Sequence, residues 1–200
     1  HNSKILFTST SEVYGITKNS SQKENMPVSL STFSPRACYS EGKRIAETLM
    51  KSFGEINDLD IRIARVFNTY GPRLNIHDGR VIGNFIKQCS NDKKLTIYGD
   101  GFQTRSFCYV SDLIDGLLKL MQSNYSYPMN IGNEEEISII ELARLIKSKI
   151  NKEISFEYLG LPLDDPLRRK PCLEKAKKYL NWNPKVSLSD GLNQTINSFI

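Results

Sequence analysis

The sequence predicts an α/β fold with a parallel sheet, and three observations carry the prediction. Strand-like and helix-like segments alternate along the 200 residues, as in crossover units. The two stretches that look chemically equipped, STSEVYG and FNTYGPR, each follow a strand-like run, and parallel sheets bind ligands beyond the carboxyl ends of their strands. No internal repeat and no low-complexity tract points to another architecture.

Taken in order, KILFTSTS (4–11) reads as a buried strand and 15–34 as a polar loop rich in Ser and Asn. Ser34-Pro35 marks a helix start, since proline is tolerated in the first turn. The helix is expected to run to Phe53, with Ile45, Ala46, Leu49, Met50 and Phe53 as a core stripe at helical spacing. DIRIARVFN (60–68) is a second strand, 69–79 a loop, RVIGNFIKQC (80–89) a short helix and LTIYG (95–99) a short strand. RSFCYV (105–110) reads as a strand end, with Ser111 placed to cap a helix over 112–122. PMNIG (128–132) is a strand, and Ser138 with Glu141 forms a capping box for a helix over 139–150. ISFEYL (154–159) is a strand, 162–171 a proline-bearing loop, LEKAKKYL a helix, and WNPKVSLSDGL opens a last helix.

The composition, 39% hydrophobic and 24% charged, is that of a globular chain. No apolar run approaches the roughly 18 residues of a membrane-spanning helix, and no signal-peptide pattern opens the chain. Cys38, Cys89, Cys108 and Cys172 lie far apart without metal-ligand spacing, so no metal site is expected; buried thiols in a reducing cytoplasm fit best. The net charge of +5 is carried by dispersed lysines and a few arginines in loop-like places, Arg73, Arg80, Arg105, Arg168 and Arg169. That pattern suits discrete phosphate or carboxylate contacts better than a nucleic-acid-binding stripe. His1 and His77 show no partner pattern.

Tyr39 and Lys43 stand four apart in a predicted helix, on one face. An ammonium near a phenol favours the phenolate, and such a tyrosine can take a proton from a hydroxyl. The spacing is weak evidence alone, because Tyr14 and Lys18 match it too, past a strand end where no helix is evident.

STSEVYG, the helix bearing YSEGK, RIARVFNTYGPR, LTIYGDGFQTRSFCYVSDLIDGL and NIGN follow one another in that order. The order resembles the extended short-chain dehydrogenase/reductase family of nucleotide-sugar enzymes, from Lys4 to about Leu192. The resemblance implies a Rossmann-like parallel sheet, incomplete and lacking the N-terminal βαβ units, with a smaller C-terminal substrate-binding lobe. It divides the chain into 1–68, the C-terminal portion of an NAD-binding domain, and 69–200, mainly a nucleotide-sugar lobe with 105–124 returning to the first. It implies NAD as cofactor, a UDP-sugar as small-molecule partner, no nucleic acid or membrane, and a homodimer formed through the Tyr–Lys helix.

Within the family, SPRACYSEGKRIAETL and GFQTRSFCYVSDLIDGL look most like members that decarboxylate UDP-glucuronate through a 4-keto intermediate. Carried over on that likeness, Tyr39 is the base at O4, while Lys43 lowers its pKa and holds the ribose. Thr10 or Ser11 hydrogen-bonds the sugar near C4, Glu12 acts in decarboxylation and proton return, and Arg105 sits near sugar and diphosphate. Ser9, Val66 and Arg73 fall on the cofactor side with the dyad. Asn68, Arg80, Val81, Tyr98, Gln103 and Arg169 join Arg105 on the substrate side. Tyr98 reads equally as a packed strand aromatic.

Position 11 discriminates within the family. The 4,6-dehydratases usually have an aspartate there as an acid, and a serine hydroxyl is a poor acid at neutral pH. Ser11 therefore argues against dehydration and fits a substrate whose C6 is a carboxylate. The Gly-rich dinucleotide fingerprint is not in the sequence, so the chain is expected to start near the fifth strand of the family's sheet and, by itself, to bind NAD poorly and turn over little. An NDP-sugar 4-epimerase and a non-catalytic nucleotide-sugar-binding chain are the rival expectations.

Overall fold

A computed structural model describes residues 3–15, 21–162 and 165–199. In chain order the described strands are β1 Ile5–Thr10, β2 Ile61–Val66, β3 Thr69–Tyr70, β4 Leu95–Tyr98, β5 Thr104–Ser106, β6 Cys108–Tyr109, β7 Met129–Ile131, β8 Glu136–Ser138, β9 Phe156–Leu159 and β10 Arg168–Arg169. The α-helices are α1 Ala37–Asn57, α2 Val81–Ser90, α3 Val110–Gln122, α4 Ile139–Ile150, α5 Glu174–Leu180 and α6 Leu188–Asn197, and a 3-10 turn covers Ser11–Tyr14.

The main sheet has the order β1-β2-β7 and is wholly parallel, with Thr10 opposite Val66 and Val66 opposite Ile131. Helix α1 packs on β1 and β2, and α3 and α5 pack on β7. Farther along the chain, β5 lies between β10 (parallel) and β8 (antiparallel), and β4-β9 and β3-β6 are parallel pairs. The architecture is α/β with parallel strands, as the alternation of elements predicts.

Two large apolar cores and a small cluster of Val13, Tyr14 and Phe67 are found among the described residues. Helix α2 buries Ile82, Phe85, Ile86 and Cys89, and α4 buries Ile139, Ile140, Leu142, Ala143 and Ile146. Both stripes have helical spacing and meet around Leu95 and Ile97 of β4. The other core lies behind β2 and β7, where Trp182 and Leu120 are almost fully buried. There α3 approaches the indole closely: a Cβ on Gly116 would stand 2.9 Å from the Trp182 ring.

Several expectations need correction. Helix α1 starts at Ala37, because Ser34–Ala37 forms a turn first. Most of its expected core stripe is solvent-facing: Ile45, Leu49 and Phe53 are each more than half exposed, Ala46 and Met50 are half-buried, and the buried α1 residues are Ala37, Ser40 and Glu47. The physical reason is that the face α1 turns to β1 and β2 carries the polar partners of those strands. Ser111 caps nothing, since α3 already begins at Val110. The neighbouring Asp112 is the anchor there, accepting the backbone N–H groups of Lys185 (3.0 Å) and Val186 (2.9 Å). Arg105, Arg168 and Arg169 stand on short strands, not in loops. Cys38 is exposed, unlike the other three cysteines. Lys18 and His1 lie outside the described residues.

Candidate active site

At the carboxyl ends of β1 and β2 the chain opens into a cleft of about 1010 Å³. The turn after β1 supplies one wall. Thr10 caps it, its Oγ1 accepting the Glu12 N–H at 3.3 Å. Gly15 closes it with its N–H on the Glu12 carbonyl (3.1 Å) at φ +66° and ψ −148°, a conformation reserved for glycine. A Cβ there would also stand 2.0 Å from the Ser29 carbonyl oxygen. Tyr14 is fully buried, its hydroxyl donating to Asn130 Oδ1 at 2.6 Å. The motif STSEVYG thus folds so that Thr10, Ser11 and Glu12 line the cleft while Val13 and Tyr14 anchor them.

Tyr39 faces the same cleft from the first turns of α1 and is 41% exposed, so its phenol is open to a ligand. Arg36 joins the two walls. Its Nε and Nη2 donate to the two Glu12 oxygens at 2.7 and 2.6 Å, and its guanidinium carbon lies 5.4 Å from the Tyr39 ring centre. The bond to Glu12 raises the Arg36 pKa. Lys43 sits one turn on, against β1, with its ammonium donating to the Thr8 carbonyl (2.8 Å) and 4.9 Å from the Phe7 ring centre. Unlike the other predicted catalytic, cofactor and substrate residues, it is not among the described residues lining the cleft.

Beside Glu12 the lining turns cationic. Arg105, buried on β5, donates to Asp165 at 2.7 Å and to the Thr104 carbonyl at 2.8 Å. Arg169 is poorly solvated, and burial pulls its pKa below the ordinary value despite Glu12, whose carboxylate oxygen is 3.9 Å from Arg169 Nη1. Its Nε has no hydrogen-bond partner among the described residues. A buried donor left open in a cleft favours an anionic ligand. The lining includes five arginines, Arg36, Arg73, Arg80, Arg105 and Arg169, against the carboxylates Glu12, Asp78 and Asp165.

The remaining predicted residues also line the cleft. Ser9 and Val66 stand at the ends of β1 and β2, although the Ser9 hydroxyl already donates to Glu47. Asn68 donates to the Ser106 carbonyl at 3.4 Å. Arg73 and Arg80 are exposed at the mouth, with Val81 as the first residue of α2. Gln103 donates to the Tyr98 carbonyl at 2.8 Å, and Tyr98 is 44% exposed. The sequence reading missed Arg36 and Asp165. Arg36 lies inside the quoted SPRACYSEGK, but its pairing with a residue 24 positions away leaves no local signal.

A parallel sheet with a phenol and a carboxylate at its strand ends, faced by arginines, belongs to the Rossmann-like α/β class. The family is more particular: the one described as GDP-mannose 4,6 dehydratase matches residues 1–195, and the chain belongs to it, within the extended short-chain dehydrogenases/reductases. UDP-glucuronic acid decarboxylase 3 of Arabidopsis thaliana is 50% identical over 189 residues, covering 94% of this chain and 55% of that protein. UDP-glucuronic acid decarboxylase 1 of Xenopus tropicalis is 48% identical over 196 residues, covering 98% and 47%. The solved structure of UDP-glucuronic acid 4-epimerase from Bacillus cereus, in complex with UDP-glucuronic acid and NAD, is 31% identical with a TM-score of 0.86, covering 98% of this chain and 60% of that one. The chain therefore spans about half the length of the curated relatives it matches.

Proposed function

We propose that the protein carrying this chain decarboxylates UDP-glucuronate to UDP-xylose with NAD. The observation that carries the reading is the shared cleft: Tyr39 and Glu12 are joined by Arg36, Thr10 and Ser11 line the same cleft, and the buried Arg105 and Arg169 line it too, Arg169 beside Glu12. The high identity to decarboxylases and the serine at position 11 support it over dehydration.

The residues present fit one end of the dinucleotide. An open phenol and an ammonium one turn on are the polar groups a nicotinamide riboside would meet, with Ser9 and Val66 packing at the strand ends. NAD bound there would supply a reversible hydride acceptor for C4. Tyr39 accepts the O4 proton as C4 becomes a ketone, with Lys43 favouring its phenolate. The product is a β-keto acid, so the C5–C6 bond breaks with loss of CO₂ and its electron pair passes into an enolate. Thr10 and Ser11 hold the sugar at C4, and Glu12 handles the proton that C5 then takes up. Tyr39 returns its proton to O4 when the hydride comes back. Overall, one proton is consumed and one CO₂ leaves. Arg105 and Arg169 bind the diphosphate and carboxylate charges, since guanidinium groups match both.

In the same reading, residues 1–68 end the NAD-binding domain. Residues 69–200 form the nucleotide-sugar lobe, with 105–124 returning to the first sheet, where α3 packs on β2 and β7. The exposed α1 stripe of Ile45, Leu49, Phe53 and Ile56 is the contact with a second copy. The four unpaired cysteines fit a cytoplasmic setting.

The test is to incubate the full-length protein with NAD and UDP-glucuronate labelled with ¹³C at C6, following the nucleotide sugar by NMR. Labelled CO₂ together with UDP-xylose is expected. A C4 epimer that retains the label would replace the reading with a 4-epimerase, and binding of UDP without turnover would replace it with a non-catalytic chain.

A further inference from the structure

Behind the cleft wall runs a second polar system that the chemistry above does not use. Glu47 lies on α1 eight residues after Tyr39 and four after Lys43, on neighbouring turns of one side of the helix. It is buried, and its carboxylate accepts the Ser9 hydroxyl together with Arg65 Nε (2.9 Å) and Nη2 (2.6 Å). Arg65 stands on β2. Its Nη1 donates to the Glu24 carbonyl at 3.0 Å, and its guanidinium carbon lies 4.9 Å from the Tyr14 ring centre. Burial opposes its charge, yet Glu47 keeps its pKa above the ordinary arginine value.

Tyr14 ends the turn that carries Glu12, and its hydroxyl reaches Asn130. Asn130 Nδ2 in turn donates to the carbonyls of Gln22 (2.8 Å) and Cys172 (3.2 Å). Gln22 N–H donates to the Lys170 carbonyl at 2.8 Å, next to Arg169. One guanidinium therefore touches both a carboxylate of the Tyr39 helix and the base of the Glu12 turn, and the system continues to the strand that carries Arg169.

A buried ion pair of this kind adds little net stability over well-packed apolar side chains. What it does supply is direction: a planar fork accepts only one arrangement of a carboxylate, and its flat face stacks on an aromatic ring. Arg65 is not among the described residues lining the cleft, so it can act on the reaction only through others.

We propose that Arg65 is a positioning residue that holds α1, with Tyr39 and Lys43, in register with the turn bearing Glu12. The inference rests on the reaction set out above. That reaction needs C5 protonation and return of the hydride to C4 after CO₂ has left, before the sugar departs. If the helix and the turn lose register, these late steps slow relative to release. The pentose then leaves as the 4-ketone, and the two electrons taken from C4 stay on the dinucleotide.

The test compares Arg65→Lys and Tyr14→Phe with wild type in the full-length protein. It measures turnover, the ratio of released 4-keto sugar to finished product, UDP affinity by calorimetry, and thermal unfolding. Misplacing reacting groups by an ångström costs on the order of 100-fold in rate. Arg65→Lys is therefore expected to lose roughly 10- to 100-fold in finished turnover. The 4-keto share should rise, and UDP affinity should stay within about threefold. Tyr14→Phe keeps the ring under the guanidinium and removes only the hydroxyl, so it should shift the same ratio less; if Arg65→Lys does not fold, this variant decides. An unchanged ratio, with activity falling only as far as the folded fraction falls, overturns the proposal. If wild type makes a C4 epimer and no CO₂, the decarboxylase reading falls, while the ratio of released 4-keto uronate to epimer still decides for or against Arg65.

Discussion

Helices α1 and α4 carry equally clear apolar periodicity and end in opposite situations. In α4, Ile139, Ile140, Leu142, Ala143 and Ile146 are buried, and a complete capping box starts the helix: the Ser138 hydroxyl takes the Glu141 N–H at 3.2 Å, and Glu141 takes the Ser138 N–H at 3.1 Å. In α1, Ile45, Leu49, Phe53 and Ile56 face solvent, no side chain caps the start, and the inward face presents Ser40 and Glu47. Periodicity reports that a helix has an apolar side. Topology decides what covers it. Helix α4 closes a core with α2 and β4, whereas α1 turns Ser40 and Glu47 inward, where Ser9 and Arg65 of the adjacent strands bond Glu47.

The largest break in this comparison should come from truncating each stripe. Ile146→Ala is expected to cost about 2–5 kcal/mol in urea unfolding, by lost burial and a cavity. Leu49→Ala, at an exposed position, should stay within roughly 0.5 kcal/mol under conditions where the protein is monomeric, and should instead weaken self-association in light scattering. Equal losses in unfolding at the two sites would mean that α1 buries its stripe within one chain.

A smaller break is local to the α1 side. Gly15→Ala forces a β-carbon onto a glycine-only backbone and against the Ser29 carbonyl. The strain alone is of order 1–3 kcal/mol. The expected outcome is a lower melting temperature together with weaker UDP binding, because the Thr10–Glu12 turn must shift. Unchanged binding would show that the turn tolerates a side chain there.

The last break lies on the α4 side and is read as a pH dependence: a contribution present at neutral pH is lost in acid. Glu136 on β8, the strand that runs into α4, accepts bonds from Arg168 (2.6 Å from Nε) and Thr104 (2.8 Å). The Arg168 contact, outweighing the cost of burial, holds its carboxyl at about 2 in place of 4.5. A folded-state pKa below the unfolded one stabilises fully above the unfolded value, and that contribution is lost as pH falls through the folded one. Stability is therefore expected to drop between about pH 4.5 and 2, and Glu136→Gln should flatten that part of the melting-temperature profile.

Much of this was legible in the sequence. The alternation of segments marked the long elements, and the Ser138–Glu141 box marked the start of α4. Thr10, Glu12, Tyr39, Asn68 and Arg105 sit in quoted motifs, and the structure places all five on one cleft. What escaped has physical causes. Strands β3, β8 and β10 have two or three residues, too few to show a period of two. The buried charges Glu47 and Arg65 look like ordinary surface residues, because a buried pair is defined by a partner far away in sequence. The α1 stripe misled for the reason given above: apolar spacing does not name its cover.

The most direct test of the central claim is Tyr39→Phe in the full-length protein, assayed for CO₂ release from UDP-glucuronate alongside calorimetric UDP binding. The ring stays and only the proton-accepting oxygen goes. If Tyr39 is the base at O4, CO₂ release falls by about 100-fold or more, because general base catalysis is typically worth 10²–10⁴, while UDP binding is unchanged. CO₂ release near the wild-type rate would contradict the account, since a group other than Tyr39 would then take the O4 proton during the C4 oxidation that makes the β-keto acid.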